Sequence, residues 1–271
     1  MPIPIEIHNG KKTVTVLGMS PLPIHPHLPS SISNTPAENN PQVMNALSSK
    51  LGLSPTLQFH DVYSLSDPDL LSLIPTPIHA LLVILPLTPA WDANRQSEDA
   101  PLQPYSLSGP SEPIIWFKQT IGHACGSIGL LHCLINGTAR HHLQPNSLAL
   151  QIRDAAIPLK MEERAQMLYD NDAFLSAHQS VAELGDTSAP SADAGDRLGQ
   201  HFVAFVKGDD GCLWELEGSR MGPLNRGFLG EEGLLSQRGV ELGIGRVIDM
   251  EKRSGGGDLR FSCIALAGGE E

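Results

Sequence analysis

The stretch Trp116-Phe117-Lys118-Gln119-Thr120-Ile121-Gly122-His123-Ala124-Cys125-Gly126-Ser127-Ile128-Gly129-Leu130-Leu131-His132-Cys133-Leu134-Ile135-Asn136-Gly137 changes its periodicity part-way along. The β-forming run Ile114, Ile115, Trp116, Phe117 leads into a turn carrying Gly122. After Cys125 the apolar residues Ile128, Leu131, Leu134 and Ile135 recur at helical spacing. Asn136-Gly137 reads as a helix stop, because both residues tolerate the left-handed conformation of a C-terminal cap. Cys125 thus falls in the first turn of a buried helix, where unpaired N–H groups and the positive end of the macrodipole favour a thiolate. From the preceding turn, Gln119 can reach back so that its carboxamide N–H and the Cys125 N–H face one oxyanion. Position alone fits a packed thiol as well as a nucleophile. The small neighbours Ala124, Gly126 and Ser127 leave room for a substrate backbone to approach.

A second stretch supplies a candidate base. Residues His201 to Gly218 read as a β-hairpin, two alternating runs around Gly208-Asp209-Asp210-Gly211. If Phe202, Ala204 and Val206 share the core face with Cys212, Trp214 and Leu216, the loop holds an odd number of residues, and a Gly208-Asp209-Asp210 loop satisfies this. His201 then stands opposite Glu217, the arrangement in which a carboxylate orients a histidine acting as general base. His123 is a rival base but shares the cysteine's own loop with no orienting carboxylate nearby. His132 lies too far along the helix to reach the sulfur.

Composition narrows the class. A net charge of −12 and a pI near 5.3 argue against the basic face of a nucleic-acid binder, and fit a basic partner or plain solubility. The longest apolar run, Ala80 to Leu87, suits a strand buried on both faces and is too short to span a membrane. Residues 1–6 have neither the basic start nor the apolar core of a secretory signal. Cys125, Cys133, Cys212 and Cys263 show no CxxC spacing, so free thiols in a reducing compartment, cytoplasm or nucleus, are expected. No cofactor and no metal are called for.

Along the chain, residues 1–36 combine a strand-like Thr13–Leu17 with a Pro/Ser-rich run and read as a loosely ordered extension. Residues 37–271 read as one domain. A helix starts at Asn40-Pro41 and stops at Gly52, a strand covers 58–63, and Asp67-Pro68 opens a short helix. Residues 88–112 read as a surface loop, 141–148 as a connection and 160–175 as one helical region. Ser176 to Gln200 lacks apolar periodicity, which marks either a functional loop or plain disorder.

Taken together these blocks resemble the ubiquitin C-terminal hydrolase family of cysteine proteases. The likeness rests on Lys118-Gln119-Thr120-Ile121, Ala124-Cys125-Gly126-Ser127-Ile128-Gly129-Leu130, His201-Phe202-Val203-Ala204, Leu213-Trp214-Glu215-Leu216-Glu217-Gly218, Gly222-Pro223-Leu224-Asn225-Arg226-Gly227 and Arg260–Leu266, in the family's order over roughly residues 38–268. The resemblance implies an α/β, papain-like fold: a central, mostly antiparallel sheet flanked by helices in a knotted chain. It implies Cys125 as nucleophile, Gln119 as oxyanion donor, His201 as general base and Glu217 as its carboxylate partner. It further implies that 176–200 is a crossover loop restricting leaving groups to small adducts or unfolded peptides. The expected protein is a monomeric thiol hydrolase acting on ubiquitin. Alternatives are the same chemistry directed mainly at Nedd8, or a ubiquitin-binding protein weakened catalytically by Glu217. Two departures stand out: Glu217 where the family usually has Asp, and His123 where it usually has Asn.

Overall fold

The structure, a computed structural model, describes residues 6–8, 10–14, 40–182, 200–254 and 261–269. At its start, β1 (Glu6–His8) and β2 (Lys11–Thr13) pair as an antiparallel hairpin that turns at Gly10, φ 77°. The Asn40 side chain accepts from the Gln42 and Val43 N–H groups to start α1 (Pro41–Leu51), and Gly52 closes the helix at φ 94°. β3 (Leu57–Asp61) follows, then α2 (Pro68–Leu71), capped by Asp67. In β4 (Ile78–Pro86) every residue from His79 onward is buried.

Residues 88–112 are not one loop, because α3 (Pro89–Asp99) occupies their first half. Thr88 caps it, its hydroxyl accepting from the Trp91 N–H at 3.0 Å. Trp91 is the helix's one buried residue, so no apolar periodicity marks it, and the Thr88-Pro89 start is the only readable signal.

The run Ile114–Phe117 joins no sheet strand. Its backbone is satisfied by α4 (Cys125–Ile135) and the residue after it. Asn136 accepts from the Ile115 N–H at 2.6 Å and donates to the Ile115 carbonyl at 2.9 Å, and His132 Nε2 accepts from the Phe117 N–H at 2.9 Å. Asn136 is therefore extended (φ −115°), and Gly137 alone takes the left-handed position, φ 53°. A 3-10 turn, Gly137–His142, leads to α5 (Leu148–Ala156).

The helical region expected over 160–175 is two helices, α6 (Met161–Tyr169) and α7 (Asp172–Ala182). Asn171 separates them by accepting from the Phe174 N–H at 2.9 Å. Since α7 runs to Ala182, the first part of the stretch taken as structureless is helical, with His178, Gln179 and Val181 buried. The rest of the expected crossover loop, 183–199, lies outside the described residues.

β5 (Gln200–Lys207), β6 (Cys212–Leu216), β7 (Leu224–Phe228), α8 (Gln237–Leu242), α9 (Ile244–Arg253) and β8 (Ser262–Gly268) complete the chain. The six-stranded sheet has the order β3-β8-β4-β5-β6-β7 with every neighbour antiparallel. Both faces are covered. Leu82, Ile84, Phe202, Ala204 and Ile264 pack on one side with α4 and α1, and Leu81, Val83, Leu85, Val203 and Phe205 pack on the other with Trp91, Ile244 and Val247. This two-sided burial accounts for the unbroken apolar run of β4. Gly129 lets α4 lie close on the sheet, since a Cβ there would stand 2.9 Å from Leu82 Cδ1. Among the described residues no helix is long and apolar enough to cross a membrane.

Candidate active site

Cys125 is the first residue of α4, and Ala124 before it offers no side-chain cap. The N–H groups of that first turn are therefore left for the sulfur and whatever binds beside it. Cys125 is partly exposed, while Cys133, farther along the helix, is buried. Burial pushes the Cys125 thiol up, but its hydrogen bond with His201, the imidazolium charge and the backbone N–H groups of Phe202 and Gly126 outweigh this and bring it below the ordinary thiol value. Burial prevails at two of the other cysteines: Cys133 is raised, and Cys263 is pushed up to about 12.

His201 lies one residue into β5, paired with Leu85 of β4. The hairpin that carries it differs from the expected one in register. Ala204 pairs with Leu216 and Lys207 with Leu213, so the loop is Asp209-Asp210-Gly211, one residue later than Gly208-Asp209-Asp210. The reason is that Gly211 supplies the left-handed position, φ 73°, while the Gly208 N–H still donates across to the Cys212 carbonyl at 2.9 Å. The shift of register is even, so the faces are preserved. Glu217 does not stand directly opposite His201. It lies just past the end of β6, a diagonal step away, and its long side chain closes the gap, with Nε2 to Oε1 at 2.7 Å. The approach is close but off the N–H direction, an ion pair rather than a linear hydrogen bond.

The second strand end fixes Glu217. Its Oε1 accepts from the Ser219 N–H at 2.8 Å and from the Ser219 hydroxyl, and Arg220 Nε stands 3.6 Å from Oε2. Burial alone would raise this carboxyl, which is fully enclosed, but the His201 charge and the Ser219 donors bring it down to about 2. Burial likewise lowers His201, yet the facing Glu217 charge and the contacts with Cys125 and Glu217 raise it to about 10. Thiol, imidazole and carboxylate thus act on one another in sequence, and the tilted Trp91 ring lies 6.4 Å from the imidazole.

Gln119 is held against the same corner. Its N–H donates to the Gly218 carbonyl at 2.8 Å and its Nε2 to the Ile121 carbonyl at 3.2 Å, while Oε1 is buried without a partner. Gly218 has to be glycine here, because a Cβ would stand 2.8 Å from Gln119 Cβ. Of the two rival histidines, His132 is pushed down to about 3 by burial and spends Nε2 on the Phe117 N–H. His123 pairs with no carboxylate among the described residues and adopts φ 60°. That left-handed conformation suits Asn better than His, which gives a physical reason for the residue more usual at this position.

Sequence reasoning missed Ser219, Arg220 and the charged cluster beyond them. Arg220 bonds Glu98 (2.9 Å) and Asp99 (3.1 Å) on α3, while Arg226 and Arg246 each bridge Glu98 and Glu215. These guanidiniums overcome the burial of Glu98 and hold its carboxyl down at about 2. Nothing in the linear order hints that residues so far apart meet.

The sequence matches the family described as Ubiquitin carboxyl-terminal hydrolase, family 1, over residues 35–248. It is 33% identical over 232 residues to ubiquitin carboxyl-terminal hydrolase isozyme L1 of Rattus norvegicus, covering 85% of this chain and 96% of that protein. The human isozyme L1 is 32% identical over the same span. Among solved structures, the Trichinella spiralis UCH37 catalytic domain bound to ubiquitin vinyl methyl ester superposes with a TM-score of 0.62 at 19% identity, covering 85% of this chain and 93% of that one. The family match, the span shared with isozyme L1 and the common fold agree, and the chain belongs to family 1 of the ubiquitin carboxyl-terminal hydrolases, thiol-dependent hydrolases.

Proposed function

We propose that this enzyme cleaves small adducts or peptides from the C-terminal glycine of ubiquitin through an acyl-enzyme on Cys125. The observation that carries the reading is the row Cys125–His201–Glu217, in which the imidazole is paired at 2.7 Å with a buried carboxylate and lowers the neighbouring thiol. His201 takes the Cys125 proton, and the resulting thiolate attacks the glycine carbonyl. The tetrahedral oxyanion is met by the Cys125 N–H and by the Gln119 amide, a donor whose loss costs about 10²–10³ in kcat in comparable sites. Collapse breaks the C–N bond as His201 gives its proton to the leaving amine. His201 then takes a proton from water, which attacks the thioester and releases the ubiquitin carboxylate and the thiol.

Three further points support ubiquitin as substrate. The solved UCH37 relative was captured with ubiquitin vinyl methyl ester. The net charge of −12 suits a ubiquitin surface that is basic around its tail. The small residues Ala124, Gly126 and Ser127 beside Cys125 suit a Gly-Gly tail without side chains. A fluorogenic C-terminal amide of ubiquitin is the test: turnover is expected, lost in Cys125→Ala with binding retained, and turnover persisting in that variant would refute the assignment. The same assay with the Nedd8 amide ranks the two modifiers by kcat/KM. A catalytically weakened binding protein is disfavoured by the closeness of the His201–Glu217 pair.

A further inference from the structure

The family match begins at residue 35, yet the structure places Lys12, Thr13 and Val14 on the loop that presents Cys125. The Val14 N–H donates to the Gly122 carbonyl at 3.1 Å and the Gly122 N–H donates to the Lys12 carbonyl at 2.9 Å. Thr13 and Gly122 thereby form a parallel bridge, and both backbone polar groups of Gly122 are occupied by a segment distant in sequence. The Thr13 side chain fills the space a Gly122 Cβ would need, with Oγ1 3.0 Å from that point. Val14, 4% exposed, joins the core that holds Ile121, Ala124 and Ile128. On its other side the segment is fastened to the end of α6. The Lys12 N–H donates to the Tyr169 hydroxyl at 2.8 Å, Lys12 Nζ donates to the Tyr169 carbonyl at 2.8 Å, and Nζ lies 4.8 Å from the ring centroid.

We infer that residues Lys12–Val14 are positioning residues for hydrolysis, a buttress that holds the 119–125 loop so that Gln119 and the Cys125 N–H converge. The loop needs such support. His123, next to Gly122, sits at φ 60°, a conformation costing roughly 1–2 kcal/mol for a residue with a Cβ. With Gly122 unpaired, the turn has a downhill path out of that geometry. A displacement of an ångström there moves the nucleophile and the oxyanion donor together.

This inference rests on Cys125 being the nucleophile, and the test keeps the two apart. In the full chain, Val14→Pro removes the N–H that holds Gly122 while keeping an apolar side chain, and Val14→Ala keeps the N–H while removing core volume. Turnover of the fluorogenic ubiquitin amide is read beside the rate of Cys125 alkylation by iodoacetamide, which reports the thiolate whether or not turnover occurs. Val14→Pro is expected to lower kcat about tenfold, with KM within about twofold, and to slow alkylation. Val14→Ala is expected to lower the melting temperature and to cost clearly less kcat than Val14→Pro. Equal kcat and alkylation in Val14→Pro and the parent, or equal losses in both variants, would overturn the buttress. Should Val14→Pro fail to fold, the double change Lys12→Met with Tyr169→Phe reads the same two quantities, with the same fall in kcat expected and unchanged values overturning it. A parent chain that alkylates at Cys125 but turns over no ubiquitin would sink the proposed function and leave the positioning result readable.

Discussion

Replacing Glu217 with Asp installs the residue more usual in this family, and the geometry here says that it harms the enzyme. Glu217 reaches His201 diagonally from beyond the end of β6, with Oε1 2.7 Å from Nε2. Removing one methylene withdraws the carboxylate by ~1.5 Å, to roughly 4 Å. At an effective dielectric of about 20 the pair energy falls from about 6 to about 4 kcal/mol. A loss of about 2 kcal/mol from the state in which His201 is charged corresponds to roughly a 30-fold lower kcat/KM. The Ser219 N–H and hydroxyl, which now bond Oε1, lose their acceptor as well. The assay is kcat/KM on the fluorogenic ubiquitin amide, with circular dichroism to confirm folding. Activity in Glu217→Asp equal to or above the parent would refute the argument, and a rise of orders of magnitude would revive the weakened-binder reading.

Gly218→Ala puts a Cβ 2.8 Å from Gln119 Cβ, so the oxyanion donor has to move, and kcat should fall by about tenfold or more with ubiquitin affinity little changed. His123→Asn better suits φ 60° and should stabilise the fold by up to about 1 kcal/mol, seen as a higher denaturant midpoint at unchanged m. Stability against pH follows from two opposite shifts. Glu217, depressed from 4.5 to about 2, contributes stability that is present above 4.5 and lost as pH falls toward 2. His201, raised from 6.5 to about 10, contributes stability that is full below 6.5 and lost as pH climbs toward 10. In Glu217→Gln the decline above pH 6.5 should flatten; a decline of unchanged steepness in urea titrations would show that the pair is not its source.

What the sequence reveals here is whatever short-range chemistry controls. The start of α4 at Cys125, the Asn40-Pro41 and Asp67-Pro68 caps and the fully buried β4 each follow from a few adjacent residues. The hairpin faces are legible because parity survives a two-residue shift of register. The loop itself is not, since Gly208 and Gly211 both looked able to turn the chain. α3 hides because its attachments are Trp91 and ion pairs to Arg220, β7 and α9 rather than an apolar stripe. Ser219, Arg220 and the β2–Gly122 bridge depend on tertiary juxtaposition, which no local pattern encodes.

The place of β8 in the sheet bears on when a newly made molecule becomes an enzyme. This last strand lies between β3 and β4, although both precede it by well over a hundred residues. As the polypeptide leaves the ribosome, Cys125, His201 and Glu217 all emerge before residues 262–268 do, and β4 waits with one edge unpaired. Closure of the sheet behind the catalytic row therefore waits on a strand made after all three site residues. Until β8 inserts, β4 presents an open apolar edge of the kind that invites pairing with another chain.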